Sequence, residues 1–448
     1  MRPGSGVNND SGAADAAEFT LISRLWLLAV LTAPWSVEVP LAATGWRLAV
    51  PQEPLLVFIL AMVIRNRRSL DVSGLARSMS HPVVVVAAAS LVWTAVCAAT
   101  STVPVVAAKA LVVRGLQATV YLLLGLVIVR RRADARRVAV VGAVGLAPIA
   151  VWALVRAQVL DGSHAVHASA MPFFHSRLEL TVAAAFWLLA VAGWEGHRRR
   201  WWLRGVNLLL LGAVVGLRGR SAVVGLVIGI GGRVLARLRC RPEAVMAVVL
   251  LIVVGAAAVV VDGWVWRETE GDRFRPTTVL EPVWSAVSAT ELAHDESVLE
   301  RFNRWRCATL MAVDRPLTGF GPGTFEREYG VYQRDRDRTV WSTDRGDLGD
   351  AHSDYLGRLA EEGAVGLALH VLLVGVMLWT GFRVAAWCRE SEVRRSAEAW
   401  TGAVAGLAAA GAFVCLSDLP GTGLALWVAA AVLVRLDLEV RPKRSEDA

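Results

Sequence analysis

Apolar residues run through this chain in long blocks separated by short arginine-rich intervals. The blocks lie at about 25–37, 48–64, 82–99, 110–129, 138–155, 180–194, 201–217, 222–234, 244–261, 365–382, 400–416 and 424–436. Many of them reach the ~17–25 residues that carry an α-helix across a bilayer, and soluble domains do not stack such blocks one after another. The pattern predicts an all-α polytopic membrane protein with about twelve transmembrane helices. The second block is the least regular, because Pro51, Gln52, Glu53 and Pro54 interrupt it.

The basic residues set the orientation. Cytoplasmic loops of membrane proteins carry an excess of Lys and Arg. With the N-terminus inside, the groups Arg65/Arg67/Arg68/Arg77, Arg130/Arg131/Arg132/Arg136/Arg137, Arg198/Arg199/Arg200, Arg237/Arg239/Arg241, Arg389/Arg394/Arg395 and Arg441/Lys443/Arg444 fall in every second connection. An even number of spans with both termini inside requires this alternation. The connections at 101–103 and 417–422 hold almost no basic residue. The expected division is a disordered cytoplasmic tail over 1–20, helices one to nine over 21–262, and a large extracytoplasmic loop with short helices over 263–363. Helices ten to twelve follow over 364–436, then a cytoplasmic tail over 437–448.

Composition changes this picture little. Hydrophobic residues are 55% of the chain, as a membrane protein requires. The formal net charge of +8 would suggest nucleic acid in a soluble protein; here it follows from the arginine-rich loops, so no nucleic-acid partner is expected. Cys97, Cys240, Cys307, Cys388 and Cys415 are scattered, with neither a CxxC pair nor metal spacing, and imply no disulfide framework. Residues 1–17 lack a basic n-region and a cleavage site, and read as a tail in preference to a signal peptide.

Two outward segments break the charge rule. Long translocated loops escape it, which accounts for residues 264–363. The turn "GLRGRS", 216–221, is short, so Arg218 and Arg220 need a reason. Arginines at the edge of a membrane face a polar cavity or an anionic ligand, or they snorkel to headgroups. Arg220, opening a span, could set a planar fork against phosphate oxygens.

Within the long loop, "ESVLERFNRWRCATLMAVDRPLTGFGPGTF" begins with Phe302, Trp305, Leu310 and Val313 near helical spacing, decorated by Arg301, Arg304 and Arg306. It ends at Pro316 and "GFGPG". That stretch reads as a tight turn in preference to a phosphate cradle, since a lone GxGxG after a helix is weak. Further on, in "DAHSDYLGRLAEEGAVG", Asp350 or Ser353 can cap a short helix that Gly363 ends near Glu362. His352 then lies in the first turn, where the helix dipole disfavours an imidazolium and leaves a ring able to accept a proton. Tyr355, Leu356 and Leu359 fall on its side. The alternative is a polar interface residue beside the membrane.

These residues carry a resemblance. His352, Ser353, Gly363 and Gly366 satisfy the pattern His, Asn/Ser/Gln, nine residues, Gly, two residues, Gly/Thr/Tyr, and so resemble the O-antigen ligase and polymerase family, which includes oligosaccharyltransferases acting on pilin. "DRPLTGFGPGTF" is similar to its Pro-Leu-x-Gly-x-Gly-x-Gly-x-Phe segment and "RFNRW" to its Arg-x-x-x-Trp. Its Arg-x-x-x-Leu motif is met in part at Arg220, where Val224 replaces leucine; Arg218 fits less well, with Ala222 there. The resemblance covers about 217–366 at motif level and the rest in topology. It implies a GT-C-like fold in the cytoplasmic (inner) membrane, with the active site on the extracytoplasmic side. The implied reaction moves a glycan from a polyprenyl diphosphate carrier to a glycan, lipid or protein hydroxyl, by ligation or polymerisation. His352 would be the base, and Arg220 and Arg301 would hold the diphosphate, with Arg304 in reserve and Arg218 beside Arg220. No cofactor is expected. "RDRDR", 334–338, resembles the DxD of metal-using glycosyltransferases only superficially, because the flanking arginines neutralise its carboxylates. No metal is expected, and arginines would supply the positive charge. A multi-span transporter or flippase of lipid-linked glycans is the alternative, though two similar halves and mid-membrane polar sites are not evident.

Overall fold

Apolar blocks become helices wherever the backbone can satisfy itself inside lipid. The computed structural model describes residues 7–41, 47–67, 75–159, 168–174, 176–192, 201–239, 241–243, 296–333, 338–339, 342, 349–416 and 419–440. Its helices are α1 (Val7–Thr32), α2 (Gln52–Arg65), α3 (Leu75–Met79), α4 (Pro82–Ala99), α5 (Pro104–Ile128, with a π-helical stretch at Ala118–Leu124) and α6 (Arg132–Val159). There follow α7 (Arg177–Val191), α8 (Trp201–Gly216), α9 (Arg220–Arg237), α10 (Glu296–Asp314), α11 (Asp354–Trp387), α12 (Ser391–Gly411) and α13 (Pro420–Val440). The expected span at 244–261 and the run at 335–337 lie outside the described residues, as does the loop over 263–295.

Every other expected block overlaps a helix, and the chain is a mostly helical membrane protein. By length and composition, five helical segments among the described residues can cross a bilayer: Ala17–Trp35, Pro82–Ala99, Pro104–Ile128, Arg132–Val159 and Asp354–Trp387. Other expected spans lie on shorter helices, such as the 15-residue α7, or on charged ones, such as α9 with Arg220, Arg233 and Arg237.

Two expectations need correction. The chain is not wholly α: Val37–Pro40 and Arg47–Val50 pair antiparallel, Val37 opposite Val50 and Pro40 opposite Arg47. The alternation in "VEVP" and "RLAV" suits a strand, and Arg47 adds a cross-strand ion pair to Glu38 at 3.7 Å. The segment expected as a disordered tail is helical from Val7, in keeping with its four alanines at 13, 14, 16 and 17.

Helix ends gather into two sets, as antiparallel alternation requires. At one end, His81, Arg383 and Asp437 tie α4, α11 and α13 together, with Arg383 Nε donating to Asp437 at 3.0 Å. At the other, Asp354 accepts the Leu416 N–H at 2.9 Å, Trp305 packs on Phe413, and Thr102 N–H donates to Phe320 at 3.1 Å. Lipid gives helices no hydrophobic reason to associate, so close backbone approach matters more than in water. Between α9 and α12 a double small-xxx-small seam supplies it: Gly225 and Gly229 lie directly against Gly406 and Gly402.

Candidate active site

The site is built on a break in α11. At Gly363 the backbone turns to φ 69°, ψ −171°, in the left-handed half of the map where only glycine is at ease. The helix expected to end there is interrupted and then continues. A break strands helix carbonyls and amides, which must find other partners inside a membrane protein. The segment Pro316–Phe325 provides them. Ala364 N–H donates to the Pro316 carbonyl at 2.8 Å, Phe320 N–H to Ala360 at 3.1 Å and Gly321 N–H to Glu361 at 2.8 Å. Trp93 Nε1–H donates to the Glu362 carbonyl at 2.9 Å. Gly319, at φ 65°, is also where a side chain would overlap the Glu361 backbone. The glycine-rich turn is thus a splice for the kink. Its remaining amides take the protein's own anion: the Glu361 carboxylate accepts from Gly323 N–H at 2.9 Å and Phe325 N–H at 3.0 Å.

His352 stands one residue ahead of the N-cap, not in the helix's first turn. Ser353 is the N-cap, its hydroxyl accepting the Leu356 N–H at 3.3 Å. His352 has φ 49°, a conformation that non-glycine residues adopt rarely and at functional sites more than elsewhere. Asp350 stabilises it. One carboxylate oxygen accepts the His352 N–H at 2.7 Å and lies 3.1 Å from Nδ1. The imidazole is 30% exposed, so it can meet a substrate.

Helix α10 packs against this loop. Trp305 Nε1–H donates to the His352 carbonyl at 3.4 Å, and Arg304 Nη1 to the Asp350 carbonyl at 2.8 Å. Arg304 is buried; its Nε also donates to Glu300 at 2.6 Å, and its guanidinium stacks over Tyr329. Arg301 is half-buried one turn before Trp305, hence on the face of α10 that meets the histidine loop. Arg218 and Arg220 are exposed, at the turn and first residue of α9. The glycine seam fixes their level: moving from Gly225 back to Arg220 parallels moving from Gly406 on to Phe413, which packs Trp305. The structure therefore sets Arg304 and Trp305 against the His352 loop and places Arg301 one turn from Trp305 on the same helix. It puts Arg218 and Arg220 at the start of α9, whose seam with α12 runs antiparallel toward Phe413.

A cavity of about 140 Å³ lies beside this loop, lined by Asp350, Ala351, Asp354, Arg358, Glu361 and Phe325 among others. Beneath it Arg114, Arg358, Glu362 and Thr94 form a buried ionic cluster, with Arg358 donating to Glu362 at 2.5 Å and Arg114 to the same oxygen. Sequence reasoning missed this cluster and the pairing of Asp350. Arg114 could have been found, since an arginine inside an apolar block demands a partner. Among the described residues, no three His, Cys, Asp or Glu side chains come together as metal ligands would.

Residues 205–371 match the family model described as O-antigen ligase. This segment belongs to the O-antigen ligase family. No curated protein matches the chain. The O-antigen ligase segment runs from α8 through α9 and α10 into α11, and so contains Arg218, Arg220, Arg301, Arg304 and His352, while Arg114 lies outside it. With the apolar helices, it makes the chain an integral inner-membrane protein. O-antigen ligase-type enzymes transfer glycans in polysaccharide biosynthesis, with a lipid-linked glycan donor and an acceptor as partners.

Proposed function

We propose that this chain transfers a glycan from a polyprenyl diphosphate carrier to an acceptor hydroxyl at the outer face of the cytoplasmic membrane, as a ligase or a polymerase of surface polysaccharide. The observation that carries the reading is the meeting of His352 with α10, inside the O-antigen ligase segment and at the bundle end where α9 presents Arg220. In a direct displacement the acceptor oxygen attacks the anomeric carbon while the bond to the diphosphate breaks. His352 takes the hydroxyl proton as general base. The departing diphosphate gains negative charge, and Arg220 and Arg301, with Arg218 nearby, supply fixed positive charge and N–H donors to it. Arg304 has committed Nε and Nη1 inside the protein, and serves the loop in this scheme.

The test is reconstitution. The purified chain in lipid, given a polyprenyl-diphosphate-linked oligosaccharide and an acceptor, should release free polyprenyl diphosphate as glycan appears on the acceptor. Movement of the lipid-linked glycan across the bilayer without bond cleavage would assign it to the transporters.

A further inference from the structure

His352 is held by a relay of charged groups that reaches back into α10. Glu300 pairs with Arg304 at 2.6 Å, Arg304 holds the Asp350 carbonyl, and the Asp350 carboxylate meets both the N–H and Nδ1 of His352. Glu300 is fixed in turn by the hydroxyls of Thr339 and Ser342, at 2.6 and 2.7 Å. Gly349 lies against the Arg304 guanidinium so closely that a side chain there would displace it. Such an arrangement is more than a loop needs merely to close.

A carboxylate only accepts hydrogen bonds. The ring nitrogen facing Asp350 must therefore carry the proton, which makes Nε2 of the neutral ring the basic one. We propose that Asp350 is a positioning residue for His352, held in place by Arg304 and Glu300, so that Nε2 faces the acceptor hydroxyl ready to take its proton. The proposal rests on reading His352 as the base. When Nε2 gains the proton, the new imidazolium has a carboxylate already beside it, as in the acid–histidine pairs of hydrolases. The left-handed backbone at His352, uncommon for a residue with a side chain, occurs where its N–H and its ring both meet Asp350.

The relay stays charged at working pH. Burial pushes the Asp350 carboxyl up, but the charge and hydrogen bonds of His352 and the Arg304 guanidinium outweigh it and hold the group well below the usual carboxylate range. Burial likewise pushes Glu300 up, and Arg304 with the two hydroxyls brings it below its ordinary value. Both are depressed acids. The stability they give the loop is present above the usual carboxylate pKa of ~4 and is lost only as pH falls through their lower folded values. Across the cavity the other charged or titratable groups facing Asp350 are Asp354, Arg358, Glu361, Glu326 and Cys415.

The experiment compares wild type, Asp350→Ala, Asp350→Glu and His352→Asn in the purified full chain. Nitrogen NMR of ring-labelled histidine, with the His352 signals assigned by their loss in His352→Asn, reads which ring nitrogen carries the proton without reference to activity. The neutral ring of His352 should carry it on Nδ1 in wild type and lose that preference in Asp350→Ala, where the acceptor is gone. With it kcat should fall by about tenfold or more while KM for the lipid-linked donor holds; Asp350→Glu should recover part of both. An unchanged tautomer in Asp350→Ala overturns the proposal whatever the rate does. A lost preference with a fully active His352→Asn upholds the Asp350–His352 pair and removes the base assignment on which its use depends.

Discussion

Glu362 should be the most costly single residue to neutralise in the ionic cluster below the site, more so than either arginine that binds it. Arg114, Glu362 and Arg358 are 5%, 1% and 7% exposed at their side chains. Both guanidiniums converge on one oxygen of Glu362, while Thr94 donates to the other at 3.1 Å and accepts from Arg114 at 2.9 Å. Glu362→Gln leaves two cations buried against a neutral amide. Breaking a buried pair in that manner costs about 3–5 kcal/mol, most of it the stranded charge. Arg358→Leu leaves Arg114 and Glu362 paired and neutral overall, so the loss is one charge-assisted hydrogen bond, about 1.5–3 kcal/mol. Arg114→Leu leaves the (i, i+4) pair Arg358–Glu362 and should fall in the same range. The measurement is reversible unfolding of the purified variants in mixed micelles. The order Glu362→Gln worst, with both arginine variants milder, supports the account. Arg358→Leu as damaging as Glu362→Gln would refute it, since charge balance would then not be what the cluster provides.

Gly406→Leu should separate α9 from α12: a Cβ there already stands 2.6 Å from the Gly225 carbonyl and 2.9 Å from Leu189. It should cost on the order of 1–3 kcal/mol and lower transfer by displacing Arg220, whereas Gly205→Ala, with open space around it, should be silent in both assays. Arg220→Ala and Arg301→Ala should each lose on the order of 2–5 kcal/mol of transition-state stabilisation, with Arg→Lys recovering only part, measured as kcat/KM for the lipid-linked donor; wild-type turnover would show that they only snorkel. Reporter fusions at Arg132, Arg199 and Arg394 should read as cytoplasmic and one at Arg336 as external; a cytoplasmic reading at Arg336 would put the site in the wrong compartment.

What the sequence disclosed and what it hid follow from physics. Apolar blocks announce helices because lipid leaves the backbone no other option. "HSDYLGRLAEEGAVG" and "RFNRW" stood out because their residue types are few and their order is fixed, and the fold joins them where Trp305 meets the His352 carbonyl. The break at Gly363 was legible as a glycine but not as a kink, because helix continuation depends on whether Pro316–Phe325 returns to cover the stranded carbonyls. For the same reason "GFGPG" could be read as a turn without showing what the turn is for. Arg304 looked like a ligand for phosphate; only the fold shows Glu300 and Asp350 occupying it. The strand pair Val37–Pro40 and Arg47–Val50 was missed because four-residue strands carry little signal beside apolar helices.

The central claim is that His352 removes the acceptor proton, and transfer rate with donor and acceptor saturating tests it most directly. His352→Asn is the informative variant, since asparagine tolerates the left-handed backbone that His352 adopts and should fold and insert normally. His352→Asn should be slower by about 10²–10⁴-fold, the usual contribution of a general base, while donor binding persists because the arginines hold the diphosphate. A variant that keeps the full rate would contradict the account and place the base elsewhere.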